Sequence, residues 1–565
     1  MRKDLKCSVA KLLQALLVMP LLLLLTACAT ERHASLKLSE GESLSSERFH
    51  LGSHSFPIST QSDEAQLAFN RGLTLAYAFS HAASEQEFRR AAMLDPANPM
   101  PWWGVALVNG PHINYPAVPP EKAKVAWDAL TRAQQLKANG SQIEKDLIAA
   151  LSARYAEKQP EDRSSLDKAY AVEMKKVWGR YPSNADIATL YAEALMDLHP
   201  WDLWKADGAP QPWTPEIVSV LETAMKLNPS HPGAHHLYIH TVEASTTPER
   251  GVPSADTLMT LVPGASHLVH MPAHIYLRVG RLDDAALANE NAILADDEFR
   301  KAHPRPGFYA LYMAHNNHFL SFVRMMQGNY DKALAAARGM IDGVPPNFLE
   351  EYGPIADGYM VITHEVMMRF GKWNELLAEP RPPQGLPIAE AMWRFSRAVA
   401  LTALDRHAEA KKERVLFLQA VKRVPADATF GNNKGSDLLR VARLVLDGEM
   451  AARQNRFDDA IKSLTTAARL EDRLRYDEPP DWILPVRHTL GITLLRAGKA
   501  NEAEKAYRED LSKFPNNGWS LYGLSRALDL QGRSDEAQTY RAQFQQAWDE
   551  SDTQIASSCM CQPGV

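Results

Sequence analysis

From about residue 62 to residue 550, apolar side chains recur at intervals of three and four, and Leu, Ala, Arg, Glu and Met dominate. That is the period of amphipathic helices, and no long alternating pattern competes for strands. A second, longer period lies over the first. Gly491, Leu494, Gly498, Ala503, Tyr507 and Pro515 set out one unit; Gly72, Leu75, Phe88, Ala91 and Pro96 set out another near the start. Tyr276, Gly280, Leu282, Ala285 and Ala292 continue the series, as do Gly328, Tyr330 and Ala333, then Phe457, Ala460 and Ala467, and finally Gly532 with Ala537. Small residues let two helices approach closely, a Gly marks the turn between them, and a Pro closes the second helix. Each hairpin leaves an apolar face that only the next hairpin covers. The expected fold is all-α, a solenoid of about ten helical hairpins.

These positions resemble the tetratricopeptide repeat (TPR): a small residue at position 8, a large one at 11, Gly at 15, Ala at 20, an aromatic at 24 and Pro at 32 of about 34. The resemblance implies a TPR superhelix. Three stretches interrupt it. Residues 201–215 (WDLWKADGAPQPWTP) insert three Trp and three Pro, residues 381–387 are Pro-rich, and residues 476–482 read YDEPPDW. Insertions in solenoids fall on one face and often bind or gate. The array divides into residues 62–380, with the Trp-rich insertion, and residues 381–550, followed by a polar tail at 551–565.

The N-terminus reads as a targeting segment. Arg2, Lys3, Lys6 and Lys11 precede an apolar run over residues 12–25, too short for a firm membrane span. The run ends Leu25-Thr26-Ala27-Cys28, which resembles a bacterial lipobox. The resemblance implies cleavage after residue 27, lipidation of Cys28 and attachment to a bilayer. Ala29, in place of Asp, points to an outer-membrane lipoprotein facing the periplasm. Residues 28–61, rich in Ser, Glu and Thr, read as a tether reaching roughly 30 Å.

Composition adds two facts. The net charge of −6 over 565 residues offers no basic surface for nucleic acid. The body's cysteines are Cys559 and Cys561, so disulfides do not hold its core. That pair reads either as a redox-labile tail or as soft ligands for Cu(I) or zinc. The histidines are the local anomaly: 11 of the 19 lie within residues 231–364.

They also keep the register of the repeat. His236 and His240 fall at positions 5 and 9 of one unit, and His270 and His274 at positions 5 and 9 of the next. His318 takes position 5 of a third, while His267 and His315 take position 2. A spacing of four puts both members of a pair on one helical face. In the TPR family, positions 2, 5, 9, 12 and 13 line the concave groove. By that resemblance the seven histidines converge, joined by Glu193 (position 9), Asp197 (position 13) and Glu243 (position 12). Imidazoles with carboxylates suit Zn, Cu or Fe rather than Ca or Mg. The expected metal ligands are His236, His240, His270, His274, His318 and Glu193. The expected ligand-binding set is His267, His315, Asp197, Glu243, Trp201 and Trp204. Two HxxxH helices are similar in spacing to those of dinuclear copper proteins. The alternative is that the histidines cap helices, hydrogen-bond within the groove or bind an anion. His231, His235 and His303 fall off register and read as structural. Met368 replaces the second His of an HExxH motif begun by His364-Glu365, so no zincin is expected.

Residues 190–204, 235–245, 267–281 and 315–320, with YDEPPDW, resemble a largely uncharacterised group of TPR proteins related to tetratricopeptide repeat protein 38. The group implies the fold over about residues 62–550 and brings no established reaction. Two functions follow: a groove with a His-rich metal or small-ligand site, or a scaffold in the cell envelope holding a protein or peptide without catalysis.

Overall fold

A computed structural model describes residues 50–304 and 306–565. The expected signal segment, Cys28 and the tether up to residue 49 lie outside the described residues. Among those described, 26 α-helices follow one another, and the strands form a single two-residue hairpin, Thr429–Phe430 with Asn433–Lys434. No described helix is long and apolar enough to cross a membrane.

The repeat positions explain the hairpins. Gly72 faces the Phe88 ring so closely that a Cβ would come within 2.8 Å of it. Gly491 stands in the same relation to Tyr507, at 2.2 Å. A small residue at position 8 and an aromatic at position 24 therefore form one knob-in-hole contact, and any larger residue at the glycine would force the helices apart. In four units the turn residue is a left-handed glycine: Gly280, Gly328, Gly498 and Gly532 have φ of 77°, 74°, 72° and 73°. Asn455 holds the same turn at 56°. Counting from Gly72, the first hairpin puts Phe79 in this slot, at φ 54°. A bulky residue there is strained, because its Cβ crowds the backbone carbonyl.

Two large apolar cores run along the chain, one mainly before residue 370 and one after residue 360. The helices also meet at long range, which a solenoid with only nearest-neighbour contacts would not show. The Trp519 indole donates to Met325 O at 2.8 Å, and Asn516 Nδ2 donates to Gly280 O at 3.0 Å. The array curls until distant repeats touch, so its inner face is filled by side chains.

Both terminal segments differ from their expected loose state. Within residues 50–61, Leu51, Phe56 and Ile58 are buried. Ser59 donates its backbone N–H to Glu144 at 2.6 Å, and His54 bonds Asp186 at 2.9 Å. Three apolar anchors override the polar composition that suggested a tether. The tail at 551–565 also docks. Asp552 accepts from the backbone N–H groups of Tyr330 and Asp331 at 2.7 and 2.8 Å, as a carboxylate does at a helix start. Ser558 Oγ donates to His488 O at 2.7 Å.

Candidate metal centre

Three helical segments carry the site. Pro232–Val242 presents His236 and His240. Ser266–His270 and Pro272–Val279, joined through Met271, present His267, His270 and His274. Ala310–Met326 presents His315 and His318. Pro232 and Pro272 sit in the first turns of their helices, where a missing N–H costs nothing.

The imidazoles gather in two triads. The ligand atoms of His236, His240 and His267 lie within 4.8 Å of one another, and so do those of His270, His274 and His315. The triads adjoin: the His240 and His274 ring centroids are 5.6 Å apart, and those of His267 and His270 are 6.0 Å apart. Glu243 links them. It accepts from His240 Nδ1 at 2.9 Å and from His274 Nδ1 at 2.5 Å.

The outer contacts fix which nitrogen carries the proton. His236 Nδ1 lies 2.6 Å from Tyr77 O, a carbonyl that only accepts. His270 Nδ1 lies 2.7 Å from Asn289 Oδ1, and the Asn289 amide nitrogen is committed to Ala285 O, so its oxygen faces the imidazole. His240 and His274 donate to Glu243. Each of these four rings, when neutral, therefore carries hydrogen on Nδ1 and a bare lone pair on Nε2. Yet His270 Nε2 and His274 Nε2 stand 2.7 Å apart, and His315 Nε2 is 3.0 Å from His270 Nε2. His236 Nε2 is 3.1 Å from His267 Nε2. His240 Nε2 is buried with no hydrogen-bond partner among the described residues.

His267 and His315, with no partner fixing Nδ1 among the described residues, can each donate Nε2–H to the neighbouring ring. Between His270 and His274, by contrast, both Nε2 lone pairs are bare and repel unless a positive charge sits between them. A proton is a poor candidate. Burial, reinforced by the neighbouring imidazoles, holds His236, His267, His270 and His315 well below the usual imidazole range. His274 is also lowered by burial, with Glu243 pulling the other way. Burial would raise Glu243, but His274 and His240 outweigh it and hold the carboxyl down at about 2. The carboxylate thus stays charged beside both triads.

The other expected residues fall around this centre. His318 does not join a triad; its ring lies against Tyr359 at 5.2 Å, and burial lowers it to about 4. Glu193 and Asp197 enter no histidine group. Buried Arg154 draws Asp197 away, donating to it at 2.5 Å, and burial pushes both carboxyls up. His267 and His315, expected only to touch a ligand, complete the triads. Glu243 orients two of the rings. Trp201 sets its ring edge-on to His240 at 5.3 Å, and the Trp204 indole donates to Thr241 O at 2.7 Å. Off-register His231 caps its helix, its Nδ1 accepting from Ala234 N at 3.1 Å. His235 bonds Ser254 and Pro229.

A cavity of about 1030 Å³ opens on the centre through His240 and Glu243. The Trp-rich insertion forms part of its wall and YDEPPDW another part, and Arg475 Nη2 reaches Trp201 O at 3.4 Å. Glu478 also lines it. That carboxyl is buried, keeps Oε2 without a hydrogen-bond partner among the described residues, and is raised by burial first and by Glu243 next.

Sequence reasoning missed Tyr77, Asn289 and Phe79. Phe79 packs on His236 at 4.6 Å and on His267 at 5.5 Å. Its place in a glycine slot was the available signal. A further group, His54, Asp186 and His231, was also missed.

The architecture is that of an all-α helical-repeat solenoid. The family model for the tetratricopeptide repeat matches residues 518–539. No curated protein sequence matches the chain. Among solved structures, the human IFIT1 dimer with PPP-AAAA is similar at 13% identity over 84% of this chain and 89% of that one, with a TM-score of 0.31. Yeast Tom70 is similar at 11% identity over 85% and 90%, with a TM-score of 0.28. The Cut9 and Hcn1 hetero-tetramer gives 14% identity over 83% and 78%, with a TM-score of 0.30.

Proposed function

We propose that the two triads hold a pair of transition-metal ions, and that this dinuclear centre acts on a small molecule admitted by the adjoining cavity. The observation that carries this is the convergence of six imidazoles, four of which (His236, His240, His270 and His274) have Nδ1 fixed by a partner and turn a bare Nε2 lone pair into the cluster. Partners of that kind fix the tautomer of metal-bound histidines. Six neutral imidazoles suit copper, zinc or iron. When bound, such ions activate water or dioxygen at an open coordination position. The cavity volume fits a small-molecule site.

The test is metal analysis of protein purified from its native compartment. Two ions per chain are expected, falling to one in His270→Ala and in His236→Ala. Metal-free protein that gains no stability from added Cu, Zn or Fe would refute the reading.

A second reading is a scaffold for an envelope protein or peptide, which the repeat architecture favours. The histidines are 0–5% exposed apart from His315, so a partner would meet the cavity rim and loops rather than those rings. Pull-down from envelope extracts, with substitutions at Trp201 and Arg475, tests it; unchanged recovery counts against it. We also infer that the chain is an outer-membrane lipoprotein acylated on Cys28, supported by the basic start, apolar run and lipobox. The mass of the mature N-terminus decides that point.

A further inference from the structure

The C-terminal segment carries a reactive group away from the histidine triads in sequence. Cys559 and Cys561 are joined as a disulfide with Met560 between them. A cross-link between residues two apart closes almost no loop and ties no second element, so it adds little as a staple. Its surroundings are nevertheless elaborate. The segment is clamped by Ser558, which binds His488 O and Tyr507 at 2.7 Å each, and by Gln562 Nε2, which donates to Thr493 Oγ1 at 2.8 Å.

The two sulfurs differ. Cys561 is buried and its sulfur lies 2.7 Å from Glu449 Oε1. Cys559 is partly exposed, 3.8 Å from the same oxygen, and its sulfur receives the Cys561 backbone N–H at 3.3 Å. Glu449 is itself buried, and its Oε2 accepts from Gln562 Nε2 at 3.3 Å. A disulfide sulfur has no hydrogen to give, so the close Oε1 contact assigns a proton to the carboxyl. Burial, partly offset by Gln562 and Thr489, raises Glu449 to about 7, which agrees. A small cavity of about 40 Å³ is lined by Cys559, Cys561 and Glu449.

We propose that Cys559 and Cys561 form a redox-active disulfide that oxidises dithiols, with Glu449 as the proton donor to the leaving sulfur. A substrate thiolate attacks Cys559 Sγ, the bond to Cys561 breaks, and Cys561 leaves as a thiolate that takes the Glu449 proton. The second substrate thiol, giving up its proton to solvent, attacks the sulfur of the first and releases Cys559 as a thiolate. The substrate dithiol becomes a disulfide and the chain becomes a dithiol, so two electrons pass to the chain. The backbone N–H stabilises the thiolate on Cys559, and the carboxyl does so on Cys561.

The test is a single turnover with the full chain, oxidised, mixed under native conditions with one equivalent of a reduced Cys-X-X-Cys peptide. Alkylation and site-by-site mass spectrometry follow. One disulfide is expected to move to the peptide, leaving alkylated Cys559 and Cys561. With oxidised peptide, Cys561→Ser should trap a mixed disulfide on Cys559, and Cys559→Ser should trap at least roughly tenfold less. Glu449→Gln should slow transfer by at least about tenfold. A disulfide that opens only in urea would overturn the proposal, and so would equal trapping by the two serine variants or wild-type transfer by Glu449→Gln. The wild-type turnover needs no variant, so a misfolded substitution leaves the test intact.

Discussion

Replacing Glu243 with Gln probes the link between the two triads. The carboxylate is fully buried and accepts from both His240 and His274. Gln keeps the shape but offers one oxygen and one amide NH2. One imidazole N–H then loses its acceptor and faces a donor. The shift of the carboxyl from its ordinary 4.5 to about 2 is worth about 3 kcal/mol, at ~1.4 kcal/mol per pH unit. Because the folded value is lowered, this contribution is complete above about pH 4.5 and fades as pH falls toward 2. An unpartnered buried donor costs about 1–3 kcal/mol, which is the same size. Metal-free Glu243→Gln should therefore lose about 3 kcal/mol in urea unfolding at pH 7. Metal affinity, read by competition with a chelator, should fall about 10–100-fold at both triads, since one carboxylate orients a ligand in each. A loss confined to one triad, or unchanged affinity at both, would break the argument that Glu243 couples them.

Three further outcomes follow from the same geometry. His318→Gln should leave metal content at the wild-type value, while removing one source of acid sensitivity. The unfolded histidine takes a proton below pH 6.5 that the folded one refuses down to about 4, so metal-free wild type should lose about 1.4 kcal/mol per pH unit more than the variant across that window; parallel curves would contradict this. Trp201→Ala should keep both ions but release them to a chelator up to about tenfold faster, since an edge-on aromatic contact is worth about 0.5–1.5 kcal/mol; an unchanged rate would free Trp201 from the site. At position 79, Gly should be more stable than Ala by about 1 kcal/mol in denaturant, because the backbone there is left-handed. Both should be less stable than wild type, having lost the ring among the histidines; Ala equal to or above Gly would remove the strain.

The fold was legible because its rules are local. Gly72 with Phe88, and Gly491 with Tyr507, meet as the 34-residue spacing requires. The six triad histidines were legible for the same reason: a fixed register places equivalent residues on equivalent faces. What the register could not show was set by long-range closure. Tyr77 reaches His236 across 159 residues because the array curls, and no periodicity carries that information. Asp197 and His318 hold groove positions in register but are taken by other neighbours, Arg154 in one case and Tyr359 in the other. The docked segments at 50–61 and 551–565 were hidden because a few buried anchors outweigh a polar average.

The same closure changes how the inner face is exposed. A TPR groove that holds a peptide must leave its inner side chains in water, where they can exchange partners. Here those positions are sealed by Phe79, Tyr312 and Phe319, which lie 4.6–5.3 Å from His236, His267, His270 and His274. Sealing raises the cost of leaving the lone pairs unpaired, since buried polar atoms without partners are expensive. It also lowers the chance that a proton answers them. The more completely the array buries these rings, the more the proposed site would favour a cation held by several nitrogens at once over a proton that burial repels. Among the described residues, a cavity reaches the centre at His240 and Glu243, between the Trp-rich insertion and YDEPPDW. On the proposed reading, those two departures from the repeat frame the cavity through which a small molecule would reach His240 and Glu243.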